Sequence, residues 1–286
     1  MPGFEIFGKE EKKEINDVID TGVLFRYGFE AQRKGTWKAK SFENILCEQL
    51  NVKYAHLCSS GTSALITALT AAGIGAEDQV IVPPFTFIAT IEAVLSVGAI
   101  PVFADIDQTL CLNPNSLNKA LTDKTKAILP VHMCGSMAQI DKIKEFCDAN
   151  KLILIEDACQ SIGASFNGKA IGTFGNAGVF SFDPVKTITC GEGGAIITNN
   201  RKIYIAADAY SDHGHDHIGN DRGKENSLYL GTNYRISELN AAVGVAQLKK
   251  LDLILKKQRE NKNYIKNLRT NQNIKMIISK INSGKI

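Results

Sequence analysis

The sequence predicts an α/β protein with an open, mainly parallel sheet that carries helices on both faces. Its 286 residues are 44% hydrophobic and 22% charged, close to the globular average and enough for one large domain or one domain plus part of a second. From about residue 54, short β-rich runs alternate with helical patterns across loops that contain Gly, Pro or Ser. The composition excludes disordered, collagen-like and disulfide-scaffold proteins.

Hydrophobic spacing gives the order of the elements up to residue 156. Two N-terminal helices are predicted at 9–20 and 40–50. The predicted strands are 54–58, 79–83, 100–104, 126–131 and 151–156. The predicted helical stretches among them are 62–72, 86–97, 114–121 and 137–149. Strands that alternate with helices in this way have the crossover connections that parallel pairing needs.

The alternation stops after the fifth strand. The β-like runs 177–182 and 194–198 are joined by a loop alone, and so short a connection predicts an antiparallel pair. A helix is predicted at 200–211, a polar loop at 212–233 and a long amphipathic helix from Ser237. We therefore expect one antiparallel strand in an otherwise parallel sheet.

The C-terminal part of the chain is strongly basic. Residues 249–286 hold 11 of the 33 Lys and Arg side chains against 2 acidic ones, and no nucleic-acid-binding motif accompanies them. The last residues, NQNIKMIISKINSGKI, have the pattern of a new strand, with a frayed terminus as the alternative. We expect a large domain over 1–250, then a linker helix and the start of an incomplete small domain over 251–286, with no nucleic-acid partner.

The cysteines and the N-terminus indicate a compartment. The seven cysteines form no C-x-x-C pair and lie mostly in apolar runs, as expected of buried free thiols under reducing conditions. The N-terminus lacks an apolar signal region, and no stretch approaches the roughly 20 apolar residues of a membrane span. A cytoplasmic protein without a membrane partner is expected.

Two motifs lie where strands are predicted to end. Ser59-Ser60-Gly61-Thr62 follows a strand and opens an apolar helix, so its amides and hydroxyls suit a phosphate, although an ordinary helix cap is the simpler alternative. Asp157 ends the strand KLILIED, where an acid can hold a cationic ring nitrogen or can serve as a cap or ion-pair partner.

The run Ser181-Phe182-Asp183-Pro184-Val185-Lys186, followed by Gly191-Glu192-Gly193-Gly194, is the sharpest local signal. A lysine in a partly desolvated loop can act as an amine nucleophile and form a Schiff base. The glycines permit close approach of a ligand, and Ser181 supplies another hydroxyl. An exposed loop lysine without chemistry remains the alternative at this point.

Three further patterns suggest other chemistry. His213, His215 and His217 alternate as metal ligands can, but their Asp- and Gly-rich surroundings favour a polar loop over a metal site. Residues 163–170 have P-loop spacing but place Ala where a Mg²⁺-binding hydroxyl belongs, which predicts a turn. The segment 105–109 resembles the D-x-D-x-T loop of haloacid-dehalogenase-type phosphotransferases, a rival class that leaves Lys186 without a role.

Taken together, the motifs resemble the DegT/StrS-type sugar aminotransferases. The motifs that carry this resemblance occur in the family's order across residues 40–250: Ser60-Gly61-Thr62, Pro84-Phe85-Thr86-Phe87, Glu156-Asp157-Ala158-Cys159-Gln160, Ser181 to Lys186, Gly191-Glu192-Gly193-Gly194 and Gly231-Thr232-Asn233-Tyr234-Arg235. The resemblance implies the type I aminotransferase fold, in which a large domain with one antiparallel strand precedes a smaller C-terminal domain. Family members carry roughly a hundred further residues of small domain, and they are usually dimers whose active sites lie at the subunit interface.

The resemblance also implies a cofactor, pyridoxal 5′-phosphate, and its contacts. Lys186 would form the Schiff base and move the proton, and Asp157 would pair with the pyridinium nitrogen. The other implied cofactor contacts are Gly61, Thr62 and Ser181 at the phosphate, Asn233 reaching it from the partner subunit, Phe87 on the ring face and Gln160 near the 3′-oxygen. The sister dehydratases replace the lysine with histidine, so Lys186 favours transamination.

The implied reaction takes the amino group of L-glutamate and gives it to a sugar carbonyl. The segments MPGFE, SFDPVKTITCGEGG and SDHGHDHIGNDRG resemble the subgroup that aminates the C8 aldehyde of an oxidised 3-deoxy-manno-octulosonate (Kdo) for lipopolysaccharide. The alternatives are a nucleotide-linked 4-keto-6-deoxy or 3-keto sugar as acceptor, or a cofactor-binding remnant without turnover. Substrate carboxylates predict an arginine fork, for which Arg26, Arg222 and Arg235 are the candidates.

Overall fold

The computed structural model describes residues 3–218 and 222–270, and a seven-stranded mixed sheet lies at its centre. The strands of this sheet are β1 (Tyr54–Cys58), β2 (Gln79–Val82), β3 (Ile100–Phe103), β4 (Thr125–Ile128), β5 (Ile153–Asp157), β8 (Ala177–Ser181) and β9 (Gly194–Thr198). Their order is β1-β9-β8-β5-β4-β2-β3. Among these seven strands, only β9 runs antiparallel to its neighbours, so the predicted mostly parallel sheet and the predicted antiparallel pair are both confirmed.

Helices pack on both faces of this sheet. Their bounds are α1 (Lys9–Ile19), α2 (Glu30–Arg33), α3 (Lys38–Leu50), α4 (Gly61–Ala71), α5 (Ala89–Ser96), α6 (Leu117–Ala120), α7 (Ile140–Asn150), α8 (Arg201–Tyr210), α9 (Glu238–Lys249) and α10 (Leu251–Thr270). Helices α4, α5 and α8 cover one face, and α1, α3, α7 and α9 lie on the other. None of the described helices is long and apolar enough to cross a membrane.

Strand periodicity divides the core between the two faces. In β2, the side chains of Val80 and Val82 belong to one apolar cluster and that of Ile81 to the other. Successive side chains of a strand point to opposite faces, so a strand covered on both sides is apolar throughout. This explains why the strands appear in the sequence as continuous hydrophobic runs.

The structure differs from the predicted elements mainly at their ends. The helix expected at 86–97 begins at Ala89, because residues 83–88 form the turn that leaves β2. The stretch 114–121 is a short 3-10 turn followed by the single turn α6. The strand expected within 271–286 lies outside the described residues, and the division into domains at residue 250 stays a prediction.

The P-loop-like segment is a hairpin, as its missing hydroxyl indicated. Strands β6 (Ser165–Phe166) and β7 (Lys169–Ala170) pair antiparallel through Asn167 and Gly168, both with positive φ. Positive φ at both central residues is typical of a tight hairpin turn, which presents no helix start to a phosphate.

Candidate active site

A cavity of about 380 Å³ opens at the edge of the sheet where β1, β5 and β8 end and β9 begins. Ligands bind at the carboxyl ends of strands in open α/β sheets, where loops from several strands meet. The cavity is lined by Ser60, Gly61, Thr62, Leu65, Phe87, Ala89, Thr90, Asp157, Cys159, Gln160, Ser181, Asp183, Pro184, Val185, Lys186 and Glu192. Seven of the eight cofactor residues expected from the sequence are in this set.

One end of the cavity is the start of α4. The Ser60 hydroxyl accepts from the Ser63 amide at 3.0 Å, and the Ser63 hydroxyl accepts in turn from the Ser60 amide at 2.9 Å. This reciprocal cap satisfies the Ser63 amide, while the first amides of a helix, here those of Gly61 and Thr62, have no partner within the helix. The segment is therefore an N-cap, and it also presents donors that suit an anion.

Gly61 brings this helix start against β8. A Cβ at Gly61 would lie 2.7 Å from Ser181 Cβ and 2.9 Å from its Oγ, closer than real Cβ contacts. The absence of a side chain therefore lets the buried Ser181 hydroxyl come beside the helix amides. Amide and hydroxyl donors from two elements converge there, as a phosphate group requires.

Asp157 lies deeper in the cavity, where its carboxylate is held at both oxygens. It is only 4% exposed. The Thr90 hydroxyl donates to Oδ2 at 2.8 Å, and the Cys159 amide donates to Oδ1 at 3.2 Å. The Thr86 hydroxyl lies 2.7 Å from that of Thr90. A carboxylate fixed in this way presents its remaining lone pairs to a donor in the cavity.

Thr90 was missed in the sequence-based prediction. The signal that points to it is the four-residue spacing of Thr86 and Thr90 directly after β2, which places both hydroxyls on one face of a helical turn. That signal is weak, because threonine is common at helix starts. Only the folded chain shows that this face meets the end of β5, 67 residues further along.

Lys186 lies in the loop after β8, with its side chain 17% exposed at the cavity. Its Nζ is 3.6 Å from Asp183 Oδ2, and the other oxygen of Asp183 accepts from the Val185 amide at 2.8 Å. Nζ is also 5.9 Å from the ring centre of Phe87. The ion-pair contact is longer than a hydrogen bond, so the amine remains available to a ligand.

Phe87 and Gln160 form two further walls. Phe87 is 62% exposed although it is apolar, which is typical of a ring that meets a ligand or another surface. Gln160 Oε1 accepts from the Cys134 amide at 3.1 Å, and its side chain also lines a neighbouring cavity. Asn233, the eighth expected residue, is exposed and does not line this cavity, so its reach into a partner subunit stays a prediction.

The two described arginines of the predicted fork do not line the cavity. Arg26 is buried and makes a 2.5 Å ion pair with Glu43 through Nη2. Arg235 donates to the carboxylate of Asp212. The side chain of Arg222 lies outside the described residues. Within the described part of this chain, neither Arg26 nor Arg235 presents its guanidinium to the cavity.

The pairing around Arg26 extends to a buried histidine. Arg26 Nη2 lies 3.2 Å from His56 Nδ1, and His56 Nε2 lies 2.7 Å from the Ser211 hydroxyl. Because a guanidinium only donates, Nδ1 accepts and the proton sits on Nε2. Burial, with the charge of Arg26 adding to it, lowers the pKa of His56 to about 3. His56 is therefore neutral and structural.

The other acid of β5 serves the fold. Glu156 is fully buried, and its carboxylate accepts from the amides of Gly172, Phe174 and Gly175 at 2.6–2.9 Å. It also lies 3.1 Å from His132 Nε2. Since the Ala138 amide donates to His132 Nδ1, Nε2 carries the proton that Glu156 accepts. Glu156 thus fastens the loop before β8 to the sheet.

The remaining patterns lie away from the cavity. Asp107 Oδ1 accepts from the amide and hydroxyl of Thr109, which makes the D-x-D-x-T segment a local turn. His217 stacks on Tyr27 with 4.1 Å between ring centres, and His215 lies 3.1 Å from Glu225. The seven cysteines are free thiols, as expected, but not all are buried: Cys134 is exposed, and two others are half-buried.

Residues 6–283 match the DegT/DnrJ/EryC1/StrS aminotransferase family. The chain belongs to this family. It is 38% identical to GDP-perosamine synthase of Vibrio cholerae over 251 residues, 87% of this chain and 65% of that protein. It is 42% identical to L-glutamine:2-deoxy-scyllo-inosose aminotransferase of Streptomyces kanamyceticus over 86% of this chain and 59% of that protein. The chain thus spans about two thirds or less of these relatives.

Solved structures agree with the fold. PseC of Helicobacter pylori, an aminotransferase involved in the biosynthesis of pseudoaminic acid, superposes with a TM-score of 0.78 at 30% identity over 86% of this chain and 64% of that one. An Escherichia coli GDP-4-keto-6-deoxy-D-mannose-3-dehydratase, solved with hydrated pyridoxal phosphate, superposes with a TM-score of 0.84. The two are 30% identical, and the match covers 93% of this chain and 72% of that one. The predicted type I aminotransferase fold is confirmed.

The substrates in the names of these relatives differ from the one that the sequence motifs suggested. They are named for GDP-perosamine and for 2-deoxy-scyllo-inosose, not for an octulosonate. The family expectation is confirmed, whereas the resemblance to the Kdo subgroup is not.

Proposed function

We propose that this chain is the cofactor-binding part of a pyridoxal-phosphate-dependent sugar aminotransferase. It would transfer the amino group of L-glutamate to the carbonyl of a nucleotide-linked keto sugar. The observation that carries the proposal is the convergence of Lys186 and Asp157 on one cavity, with Phe87 beside them. An amine nucleophile and a buried acceptor for a ring nitrogen are the two groups this cofactor needs.

The residues of the cavity fit the cofactor. The close approach of Gly61 and Ser181 makes a cradle that a Cβ would fill, and the α4 amides supply donors for the phosphate. Asp157 would hold a proton on the pyridine nitrogen, and the exposed ring of Phe87 would cover the ring face. When bound, pyridoxal phosphate supplies the electron sink for deprotonating the donor's Cα. Lys186 Nζ would bind the cofactor and then accept and return that proton.

Lys186 also favours transamination over dehydration. Two structural neighbours are variants of the dehydratase ColD in which a histidine is replaced, by asparagine in one and by lysine in the other. The sister dehydratases carry histidine where the aminotransferases carry lysine. Because this chain has Lys186 in the cavity, it retains a primary amine that can accept and deliver the amino donor's proton.

A homodimer with shared sites completes the proposal. Asn233 is exposed and lies on the loop after residue 212, outside its own chain's cavity. We expect it to reach the phosphate of a partner subunit. If so, Asn233→Ala lowers cofactor affinity about tenfold, the loss of one hydrogen bond to a charged group, and leaves the free energy of unfolding unchanged. Equal affinity in wild type and variant would contradict the shared site.

The visible absorption of the chain tests the proposed function. The protein is purified with pyridoxal phosphate, and its spectrum is recorded before and after L-glutamate. We expect a visible band that bleaches with glutamate and returns with GDP-4-keto-6-deoxymannose but not with the C8 aldehyde of Kdo. Recovery with the Kdo aldehyde alone would reverse the choice of acceptor. A band that ignores glutamate would identify a cofactor-binding remnant, and no band would contradict the role of Lys186.

A further inference from the structure

A second cavity of about 300 Å³ adjoins the cofactor cavity. Gln160 lines both, and Thr187, the residue after Lys186, lines the second one. Its other walls are the short turn at Cys134 and Gly135, the turn at 160–164 and one side of α10. A molecule that reacts beside Lys186 and extends past Gln160 would therefore enter this second cavity.

The two cavities have opposite charge. The charged side chains around the cofactor cavity are Asp157, Asp183 and Glu192 against the single cation Lys186. The second cavity has Arg259 and Lys262, and among the described residues that line it none is acidic. Like charges repel and opposite charges attract. The anionic part of a substrate is therefore favoured in the second cavity and disfavoured around Asp183.

The helical spacing of α10 places these two cations on the side that lines the second cavity. Its residues that line the second cavity are Leu255, Gln258, Arg259 and Lys262, spaced as one helical face. Lys256 and Lys257 do not line the cavity, and Lys257 lies on the opposite face of the helix. The strongly basic helix thus turns two cations towards the site while others face away.

Gly163 packs against this face of α10. A Cβ there would lie 2.3 Å from Leu255 Cδ1, and the residue has a φ of +82°. The positive φ favours glycine at this position, and the Leu255 side chain of α10 packs against its open side. Arg259 Nη2 donates to the Gly163 carbonyl at 3.4 Å, a long and solvent-exposed hydrogen bond. The exposed guanidinium therefore lies beside this turn, next to the second cavity.

The geometry points to a subsite in the second cavity, at Arg259 and Lys262, for the anionic arm of a substrate. The inference rests on the proposed function. Phosphate and carboxylate oxygens share the required chemistry, and two cations with 300 Å³ of space fit a diphosphate better than a single carboxylate. The subsite would hold the diphosphate of the sugar nucleotide while the sugar carbonyl lies near Lys186. Of the three arginines predicted for this task, Arg26 and Arg235 are paired elsewhere, and the side chain of Arg222 lies outside the described residues.

GDP is the probe for this subsite. Its affinity for the pyridoxal-phosphate-loaded protein is measured by calorimetry for wild type, Arg259→Gln, Lys262→Gln, the double variant and the control Lys257→Gln. Exposed charge contacts are worth up to about fivefold each, so we expect a loss of up to about twenty-five-fold in the double variant and no change in the control. The loss should shrink at high ionic strength, because salt screens exposed charges.

The response to glutamate separates the sources of the anion. We expect its half-saturating concentration in the bleaching reaction to be unchanged by the double variant. An increase there, with GDP affinity unchanged, would assign the subsite to the donor carboxylate. Equal GDP affinity and equal glutamate response in wild type and double variant, or an equal loss in Lys257→Gln, would overturn the inference. The proposed function fails separately, through the absence of a visible band in the wild type.

Discussion

Lys186 and Arg26 are both cations that the sequence marks as site candidates, and the fold uses them differently. Lys186 Nζ lies 3.6 Å from a carboxylate at the edge of an open cavity. Arg26 is buried and pairs with Glu43 at 2.5 Å. A buried charge is stable only when it is paired, whereas a partly exposed one can keep a loose partner. The distance and burial of the nearest carboxylate therefore decide whether each cation can meet a ligand.

The largest effect is expected from removing the available cation. Lys186→Ala takes the amine out of the cavity, so we expect no visible cofactor band after desalting and no turnover with glutamate. The side chain is partly exposed and its ion pair is long, so the melting temperature should stay within about 3 °C of wild type. Lys202→Ala, on the exposed side of α8, is the control. Turnover in Lys186→Ala would exclude the proposed mechanism.

Removing the paired cation, Arg26, should lower stability but leave cofactor binding and the response to glutamate intact. Arg26→Met leaves Glu43 buried without its partner, which costs about 3–5 kcal/mol in the free energy of unfolding. We expect the folded fraction to keep its visible band and its response to glutamate. Denaturant unfolding of Arg26→Met and of Arg26→Met/Glu43→Gln measures this, and the double variant should recover most of the loss, because a neutral glutamine can still accept from the Leu57 amide. A glutamate response that fails while the protein remains folded would return Arg26 to the substrate site.

His56, the buried neighbour of Arg26, makes the stability of this region depend on pH. Its folded pKa of about 3 lies below the ordinary value of 6.5, so the unfolded chain binds the proton first as the pH falls. The contribution of neutral His56 to the free energy of unfolding is complete above pH 6.5. It is lost progressively below that pH, by about 2 kcal/mol at pH 5. We expect His56→Gln to flatten the decline of stability between pH 7 and 5. Equal slopes in thermal melts of both proteins would contradict a neutral buried histidine.

The smallest expected effect concerns the partner of Asp157. Thr90→Val removes a 2.8 Å hydrogen bond to the carboxylate at almost constant volume, so turnover with glutamate should fall about tenfold. Thr90→Ser keeps the hydroxyl and should restore most of it. The visible band of the bound cofactor should shift in the valine variant alone. Thr67→Val, a buried threonine of α4 outside the cavity, controls for packing.

The sequence predicted the strands well because their two-sided burial makes them continuously apolar. The β8–β9 pairing was also predictable, since the stretch between the two runs has the Pro and Gly residues of a loop and not the pattern of a crossover helix. Lys186, Asp157 and Gly61 came from motifs next to strand ends, whose position in an α/β sheet is set by topology. The placement of Arg26, Thr90 and Arg259 was not predictable. Each depends on a contact with a residue far away in the chain, namely Glu43, Asp157 and Gly163.

The two neighbouring acids of β5, Glu156 and Asp157, show that the active site depends on the number of residues in this strand. Glu156 turns into the protein and fastens a loop, while Asp157 turns towards the cavity. Successive side chains of a strand alternate between its faces, so a single residue inserted into or deleted from β5 would turn each of the two carboxylates to the opposite face. The number of residues in β5 therefore sets which carboxylate faces the cavity. Its length is constrained more tightly than the identity of the apolar residues within it.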